Sequence, residues 1–238
     1  MTRPMRDAFA ERTDRFRLLD DGFPRVFSKN EQRLLEIGCS TGEAAAHIAS
    51  RYHVTVTGVD CDAAAIRKAA ERCDDQRCTF VCADASQLPF AAASFDGMYC
   101  EAAFAPLDEK ERAAAEYARV LKPGAYLLMN DFAIQFETSE SRRRAVAGIP
   151  CFRGVQTMSQ YRELFQKYGF SIVDQQERYD ELIRIVLRMS QLYDIEPSEL
   201  GEYLTRQFGG GRGDGTAFFS QTRMTYCQMI FKRNENDD

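Results

Sequence analysis

The chain has few of the residues on which several common chemistries depend. Its 238 residues include 2 His, no Trp and 8 Cys, and no two cysteines form a Cys-x-x-Cys pair. Two histidines leave little room for a His-based metal site or a Ser-His-Asp triad. The cysteine spacing is not that of a zinc module or a redox dithiol. We therefore expect no metal site and look for other chemical groups.

Long apolar runs and an excess of positive charge are missing as well. The opening MTRPMRDAFAERTDRF is charged throughout, without the apolar region of a signal peptide. The longest apolar run, 125–129, is far too short to cross a bilayer. The net charge of −5 argues against broad binding to a phosphate backbone. These features predict a cytoplasmic protein with reduced thiols that binds neither nucleic acid nor membrane.

What is present is an alternation of short apolar strands with helices of roughly ten residues. Strands are predicted at 33–37, 54–59, 78–82, 95–100, 125–129, 170–173 and 222–232, and helices at 42–50, 62–72, 108–121 and 158–168. This alternation is typical of crossover units and a parallel sheet. Beyond residue 178 it is interrupted by two amphipathic helices, the second ended by a glycine run at 209–211 within a mobile loop at 209–215.

Acidic residues follow three successive strands. The first strand ends in Glu36-Ile-Gly-Cys-Ser-Thr-Gly42, directly before a helix whose N-terminus presents free N–H groups. Asp60 ends the next strand, 22 residues after Gly38, where a carboxylate typically holds a ribose. Asp84 follows the third strand. The three loops would converge at one edge of the sheet.

The glycine pattern separates two classes of nucleotide cofactor. A dinucleotide fingerprint requires glycine at the positions of Ser40 and Glu43. Glu43 and Glu36 would also repel a pyrophosphate. An acidic pocket instead suits a cofactor that has no phosphate and carries a positive centre. S-adenosylmethionine, with a sulfonium, an ammonium, a ribose and an adenine, meets that description.

The segments LLEIGCSTGEAAAHIA, VTVTGVDCD, VCADASQLPF, FDGMYC and ARVLKPGAYLLMND resemble the successive motifs of class I S-adenosylmethionine-dependent methyltransferases (type 11-like) across residues 31–132. One departure is Ser40, where the family usually has Gly. The resemblance implies a doubly wound, Rossmann-like α/β fold. Its seven-stranded sheet would be mostly parallel with an antiparallel last strand, and helices would cover both faces. It also implies an enzyme that methylates a small molecule by in-line transfer.

The resemblance further implies roles for individual residues. Glu36 and Gly38 would lie by the methionine part, Asp60 at the ribose hydroxyls, and Asp84 at the adenine amino group. The expected cofactor-binding set is Glu36, Gly38, Cys39, Ser40, Gly42, Asp60, Cys61, Asp84, Ala85 and Cys100.

The acceptor side is less defined by the sequence. A general base is needed only if the acceptor carries its proton near neutral pH, and Glu101, after the fourth strand, is the candidate. Glu101 could instead bind the cofactor ammonium. Asn130 and Asp131 follow the fifth predicted strand and are expected at the same edge of the sheet. The Arg142-Arg143-Arg144 run is a solvated helix face or a clamp for an anionic substrate.

The stretch 149–170 is similar to the part of arsenite methyltransferases that carries a metalloid-binding cysteine, with Cys151 at that position. Those enzymes use a further cysteine near the N-terminus, and none precedes Cys39 here. Cys151 is therefore a second candidate catalytic residue. Two alternatives remain open: methyl transfer to a thiol or thiol-bound metalloid, and S-adenosylmethionine binding without catalysis.

We expect a single methyltransferase domain over 1–238. It divides into an N-terminal lid at 1–30, a cofactor-binding core at 31–178, a helical cap insertion at 179–220, and a last strand and tail at 221–238. The insertion either caps the acceptor pocket or forms a dimer interface. The expected partner is a small-molecule substrate, and a homodimer is left open.

Overall fold

The structure is a computed structural model and describes residues 14–27 and 32–235. The strands are β1 (Arg33–Ile37), β2 (Thr55–Asp60), β3 (Cys78–Cys82), β4 (Phe95–Glu101), β5 (Leu121–Ile134), β6 (Phe170–Glu177) and β7 (Met224–Arg233). The helices are α1 (Arg17–Val26), α2 (Glu43–Tyr52), α3 (Ala63–Arg72), α4 (Lys110–Val120), α5 (Glu140–Val146), α6 (Met158–Lys167), α7 (Tyr179–Tyr193), α8 (Leu200–Gln207) and α9 (Asp214–Thr222), with a 3₁₀ turn at Pro197–Glu199.

The predicted fold class is confirmed. The seven strands form one sheet in the order β3-β2-β1-β4-β5-β7-β6, and β7 runs antiparallel to both of its neighbours. The order reverses between β1 and β4, which pair in parallel. In sheets of this kind the crevice beside that reversal is where ligands bind.

Both faces of the sheet are covered, which explains why its central strands are almost wholly apolar. Leu34 and Tyr99 on one face pack with α1 and α2. Leu35 and Met98 on the other face pack with α4 and α6. Among the described residues, no helix is both long enough and apolar enough to span a membrane.

The fifth strand is longer than predicted. Lys122-Pro-Gly124 was expected to stand between α4 and a strand at 125–129, whereas β5 extends from Leu121 to Ile134. Gly124 adopts a φ of +77°, and the pairing with β4 shifts between Phe95 and Gly97. The turn residues are therefore absorbed as an irregularity within the strand.

Helix α9 was missed, whereas α5 contains Arg142-Arg143-Arg144, for which a helix face was one of the two interpretations. Gly213 and Gly215 suggested a loop, but Asp214 Oδ2 accepts a hydrogen bond from the Gly211 N–H at 2.8 Å and organises the start of α9. A Cβ at Gly215 would lie 2.5 Å from the Gly201 carbonyl oxygen. The glycine therefore serves close packing of α9 on α8. In α5, Arg143 donates to the Val155 carbonyl and pairs with Glu137, so these contacts engage the guanidinium.

The segment predicted as an N-terminal lid lies partly outside the described residues. Of its described part, α1 packs on the sheet through Leu19 and Phe23, both fully buried. Arg17 donates to Asp180 and Glu181, which begin α7. Helix α1 therefore ties the insertion after β6 to the sheet.

Candidate functional site

A cleft of about 970 Å³ opens at the carboxyl ends of β1, β2, β3 and β4. It brings together most of the residues predicted for the site. Those that line it are Glu36, Gly38, Cys39, Ser40, Asp60, Cys61, Asp84, Ala85, Glu101 and Cys151. We call the loops after the first three strands, residues 38–42, 60–62 and 83–86, the cofactor half. The acceptor half consists of Glu101, residues 102–109, residues 150–153 and Phe208.

The turn after β1 is held tightly by backbone contacts. The N–H groups of Gly38 and Cys39 donate to the Val59 carbonyl at 2.8 and 3.0 Å. Gly38 has a φ of +74°, and a Cβ there would lie 2.4 Å from the Cβ of Ala103. A side chain larger than hydrogen does not fit. The two halves of the cleft therefore touch at this glycine.

Asp60 links two loops of the cofactor half. Its Oδ2 accepts the Ser40 N–H at 2.9 Å, and its Oδ1 accepts the Asp62 N–H at 2.9 Å. Each carboxylate oxygen can accept a second hydrogen bond. The carboxylate is thus fixed in place and can still bind a pair of hydroxyl groups.

Asp84 and Ala85 form the far end of the cofactor half. The Ser86 N–H donates to Asp84 Oδ1 at 2.7 Å, and this bond holds the pKa of Asp84 below its usual value. Ala85 is buried beside it. Cys61 is exposed and lies in the same part of the cleft. An ionised carboxylate next to small side chains suits a flat ring that carries an amino group.

Glu36 is a strongly perturbed carboxyl group of the cleft. It is buried, and Tyr99 donates its hydroxyl to Glu36 Oε2 at 3.2 Å. Burial raises the pKa of Glu36 to about 8, and the neighbouring Glu101 and Asp60 charges act in the same direction. A cation in this place would relieve the repulsion. The donor set therefore fits a ligand with a positive centre, such as S-adenosylmethionine, and not a pyrophosphate.

The acceptor half is largely apolar. Glu101 stands at the end of β4, and Pro106, Leu107, Pro150 and Phe208 line the space in front of it. Arg153 is at the rim, where it pairs with Asp108 at 3.0 Å. This half can take an apolar molecule whose reactive group faces a carboxylate.

Two predicted cofactor residues, Cys100 and Gly42, do not line the cleft. Cys100 is fully buried in the core on the opposite strand face from Glu101, because successive strand residues alternate sides. Gly42 has a φ of +80°, and a Cβ there would lie 2.6 Å from Phe80 Cζ. Its place behind the turn serves packing against β3.

Cys151 reaches the cleft, but its thiol is not activated. Burial raises its pKa to about 12, and the Asp131 charge acts in the same direction. The thiol is therefore protonated near neutral pH, whereas thiol chemistry needs the thiolate.

Four further residues line the cleft and were not predicted for the site: Arg15, Phe16, Arg153 and Phe208. They arrive from segments far apart in the chain, so no local spacing marks them. Neither histidine lines the cleft, and among the described residues no group of three metal-ligating side chains comes together.

Comparison with known proteins points to one kind of domain. Residues 35–129 match the family described as a methyltransferase domain. An O-methyltransferase of Aspergillus nomiae is 32% identical over 146 residues, which cover 60% of this chain and 59% of that one. The 27-O-demethylrifamycin SV methyltransferase of Amycolatopsis mediterranei is 35% identical over 106 residues, 43% of this chain and 39% of that one. The chain thus spans less than two thirds of each of these relatives.

Solved structures share the fold. The [4+2]-cyclase SpnF superposes with a TM-score of 0.75 at 22% identity, covering 93% of this chain and 82% of that one. A phosphoethanolamine N-methyltransferase 2 of Haemonchus contortus, in complex with S-adenosylhomocysteine, gives a TM-score of 0.71 at 21% identity over 92% of this chain and 52% of that one.

Proposed function

We propose that this chain, whose residues 35–129 match a methyltransferase domain, is a class I S-adenosylmethionine-dependent enzyme that methylates a hydroxyl oxygen of a small, largely apolar molecule. The observation that carries the proposal is a single cleft with two unlike halves. One half has carboxylates fixed by backbone N–H groups, and the other is apolar with Glu101 at its base. The protein works in the cytoplasm, without nucleic acid or membrane, and the insertion at 179–220 caps the acceptor half through Phe208.

The cofactor half would hold S-adenosylmethionine. Asp60 would accept hydrogen bonds from the ribose hydroxyls, Asp84 would accept one from the adenine amino group, and Glu36 would lie by the positive methionine end. When bound, this cofactor supplies a methyl group on a positively charged sulfur. The remaining work of the chain is to align the acceptor with that methyl group and to exclude water.

Glu101 accepts the proton of the acceptor. The Glu101 carboxylate would take up the hydroxyl proton of the acceptor, so that the oxygen could receive the methyl group. Phe208, Pro150 and Leu107 line the cleft, and they would keep water away from the acceptor. The O-methyltransferase names of the relatives support oxygen as the acceptor atom.

Calorimetry and turnover test this proposal in sequence. S-adenosylhomocysteine should bind the wild-type protein, whereas NAD should not. Catechol, 1-naphthol and cyclohexanol are then offered as acceptors, with release of S-adenosylhomocysteine as the readout. Glu101→Gln should lower turnover by about 10²-fold or more while the affinity for S-adenosylhomocysteine changes little. Binding of NAD alone, or equal turnover by Glu101→Gln, would contradict it.

The position of Cys151 in the lining of the acceptor half favours one alternative function. A thiol or thiol-bound metalloid would then be the acceptor. Binding of S-adenosylhomocysteine without turnover of any oxygen, nitrogen, sulfur or metalloid acceptor would instead indicate a non-catalytic binding protein.

A further inference from the structure

Two buried side chains of opposite charge, Asp131 and Lys110, lie behind the acceptor half. Asp131, near the end of β5, is fully buried. Its Oδ2 accepts the N–H groups of Phe104 and Ala105 at 2.7 and 3.0 Å. Its Oδ1 accepts the Phe132 N–H at 2.7 Å. The carboxylate therefore holds the segment after β4 by two of its amide groups.

Lys110, the first residue of α4, holds the same segment by its carbonyl groups. Its side chain is buried, with the residue only 8% exposed, which is rare for lysine. The ammonium donates to the carbonyl oxygens of Ala105 and Leu107 at 2.7 and 2.5 Å. The charge of Lys110 also acts on Asp131 through space. The donors and acceptors of one short segment are thus fixed by two opposite charges.

This segment is the wall of the acceptor half. Ala102, Ala103 and residues 106–109 line the cleft directly after Glu101. We call residues 102–109 the acceptor wall. Phe104 and Ala105 are buried and face away from the cleft toward the pair. Their bonds to Asp131 therefore fix the neighbouring residues that face the substrate.

The second loop of the acceptor half packs on the pair as well. A Cβ at Gly154 would lie 2.2 Å from the Lys110 Nζ and 2.6 Å from the Ala105 carbonyl oxygen. Arg153 donates to the Pro106 carbonyl at 3.3 Å and pairs with Asp108. Any displacement of Lys110 would therefore move both loops.

We propose that Lys110 and Asp131 are positioning residues, which hold the acceptor wall where the acceptor oxygen can be aligned with the methyl group. The role in methyl transfer rests on the proposed function. Buried charged groups are a weak source of stability, since well-packed apolar residues often replace them without loss. Their value here is orientation, because each charge binds backbone groups of the wall.

Titration provides a readout that separates positioning from stability. Burial raises the pKa of Asp131 to about 6 and lowers the pKa of Lys110 to about 8, so both are charged between these values. Lys110 is faced by the charges of Asp131, Asp108, Arg153 and Arg143. Asp131 is faced by Lys110 and by the neutral groups Cys100, Cys151, Cys227, Tyr117 and Tyr161.

Global stability and the order of the acceptor wall should change in opposite directions with pH. A carboxyl group whose pKa is raised on folding contributes stability that is present at low pH and is lost as pH rises through its folded pKa. Protonation of Asp131 below about pH 6 thus favours the fold as a whole. The same protonation weakens its bonds to the Phe104 and Ala105 amides. If Asp131 positions the acceptor wall, amide protection in the wall should therefore fall below about pH 6, where the free energy of unfolding gains from the same protonation.

The test compares Asp131→Asn and Lys110→Met with Lys167→Met, which removes a surface lysine paired with Glu111. Amide hydrogen exchange at Phe104 and Ala105 is followed from pH 5 to pH 8, together with S-adenosylhomocysteine affinity and methyl transfer to catechol. Both pair variants should exchange about tenfold faster at these amides and lose about tenfold in kcat/KM for catechol, with cofactor affinity nearly unchanged. In the wild type, protection of these amides should rise as pH passes 6.

Gly154→Ala keeps both charges and displaces the ammonium, so it should produce the same changes in exchange and in kcat/KM, but smaller ones. It replaces Asp131→Asn or Lys110→Met if either of these variants fails to fold. Wild-type exchange rates and wild-type kcat/KM in folded variants would overturn the proposal. If the wild type methylates nothing, the proposed function fails, while unchanged exchange at Phe104 and Ala105 in the variants would still overturn the role of the pair.

Discussion

The two halves of the cleft are built on different principles. In the cofactor half, carboxylates bind the backbone of nearby loops: Asp60 binds the N–H groups of Ser40 and Asp62, and Asp84 binds that of Ser86. In the acceptor half, the walls come from segments as far apart as Glu101 and Phe208 and are fixed from behind by a buried charged pair. The first half is local in sequence, and the second is assembled by tertiary structure.

This difference indicates which half of the cleft can change to alter specificity for the acceptor. Backbone contacts in the cofactor half leave little freedom, because each loop is short and follows a strand directly. The acceptor half consists of longer loops and the residue that follows helix α8, and such segments tolerate variation around a fixed frame. A common cofactor site with a variable acceptor site is the expected result.

The largest effect on stability and on cofactor affinity should come from Gly38→Val, because Gly38 lies where the two halves of the cleft are in contact. The side chain would force a β-branched residue into φ +74° and against Ala103. We expect a loss of about 2–4 kcal/mol in the free energy of unfolding, and binding of S-adenosylhomocysteine weakened about 100-fold. Denaturant unfolding and calorimetry measure both. Gly209→Val is the matched control, since it shares a positive φ but has open space. Equal losses in the two variants would show that strain alone matters.

Asp60→Ala should affect the cofactor half alone. The variant would lose the proposed ribose contacts and releases the N–H groups of Ser40 and Asp62. We expect the affinity for S-adenosylhomocysteine to fall by more than about tenfold, with amide exchange at Phe104 and Ala105 unchanged. Asp62→Ala, which removes the side-chain cap of α3 and keeps the N–H that donates to Asp60, is the control. Unchanged affinity in Asp60→Ala would refute the ribose assignment.

The same difference between the halves explains which parts of the site could be predicted from the sequence. Asp60, Asp84 and the glycine turn follow strands at regular spacing, so their meeting at one edge was predictable from the alternation of elements. Asp131 was visible as a strand-end residue, but its contact with the Phe104 amide depends on pairing across 27 residues of chain. Phe208 depends on how α8 packs, and α9 was hidden because glycine marks both loops and close helix contacts. Local pattern thus predicts the cofactor half, and only the fold reveals the acceptor half.

Glu36→Gln should alter how cofactor binding depends on pH. With a pKa of about 8, Glu36 is protonated at neutral pH in the free protein, and a bound cation would favour its ionised form. We expect wild-type affinity for S-adenosylmethionine to rise about threefold per unit between pH 6.5 and 8, below the tenfold limit for one proton. The variant should show a flat profile by calorimetry.

Glu36 also links pH to stability. Its raised pKa means that its contribution is present at low pH and is lost as pH rises from 4.5 to about 8, so Glu36→Gln should gain melting temperature relative to wild type at pH 8. Tyr99→Phe is the control: it removes the hydrogen bond that lowers the pKa of Glu36, and should move the rise in affinity to higher pH. A pH profile that survives in Glu36→Gln would assign the proton to another group.

The smallest effect is expected from Cys151→Ser, in the acceptor half. With a pKa of about 12 the thiol is neutral at pH 7, so it provides no thiolate to a soft acceptor. Turnover of catechol and of thiophenol should each change less than about threefold, because serine keeps the size of the side chain. Cys61→Ser, an exposed thiol of the cofactor half, should also be close to wild type. A selective collapse of thiophenol methylation in Cys151→Ser alone would instead show that the acceptor half uses this thiol. The division between the halves would then extend to their chemistry, with fixed carboxylates on one side and a reactive sulfur on the other.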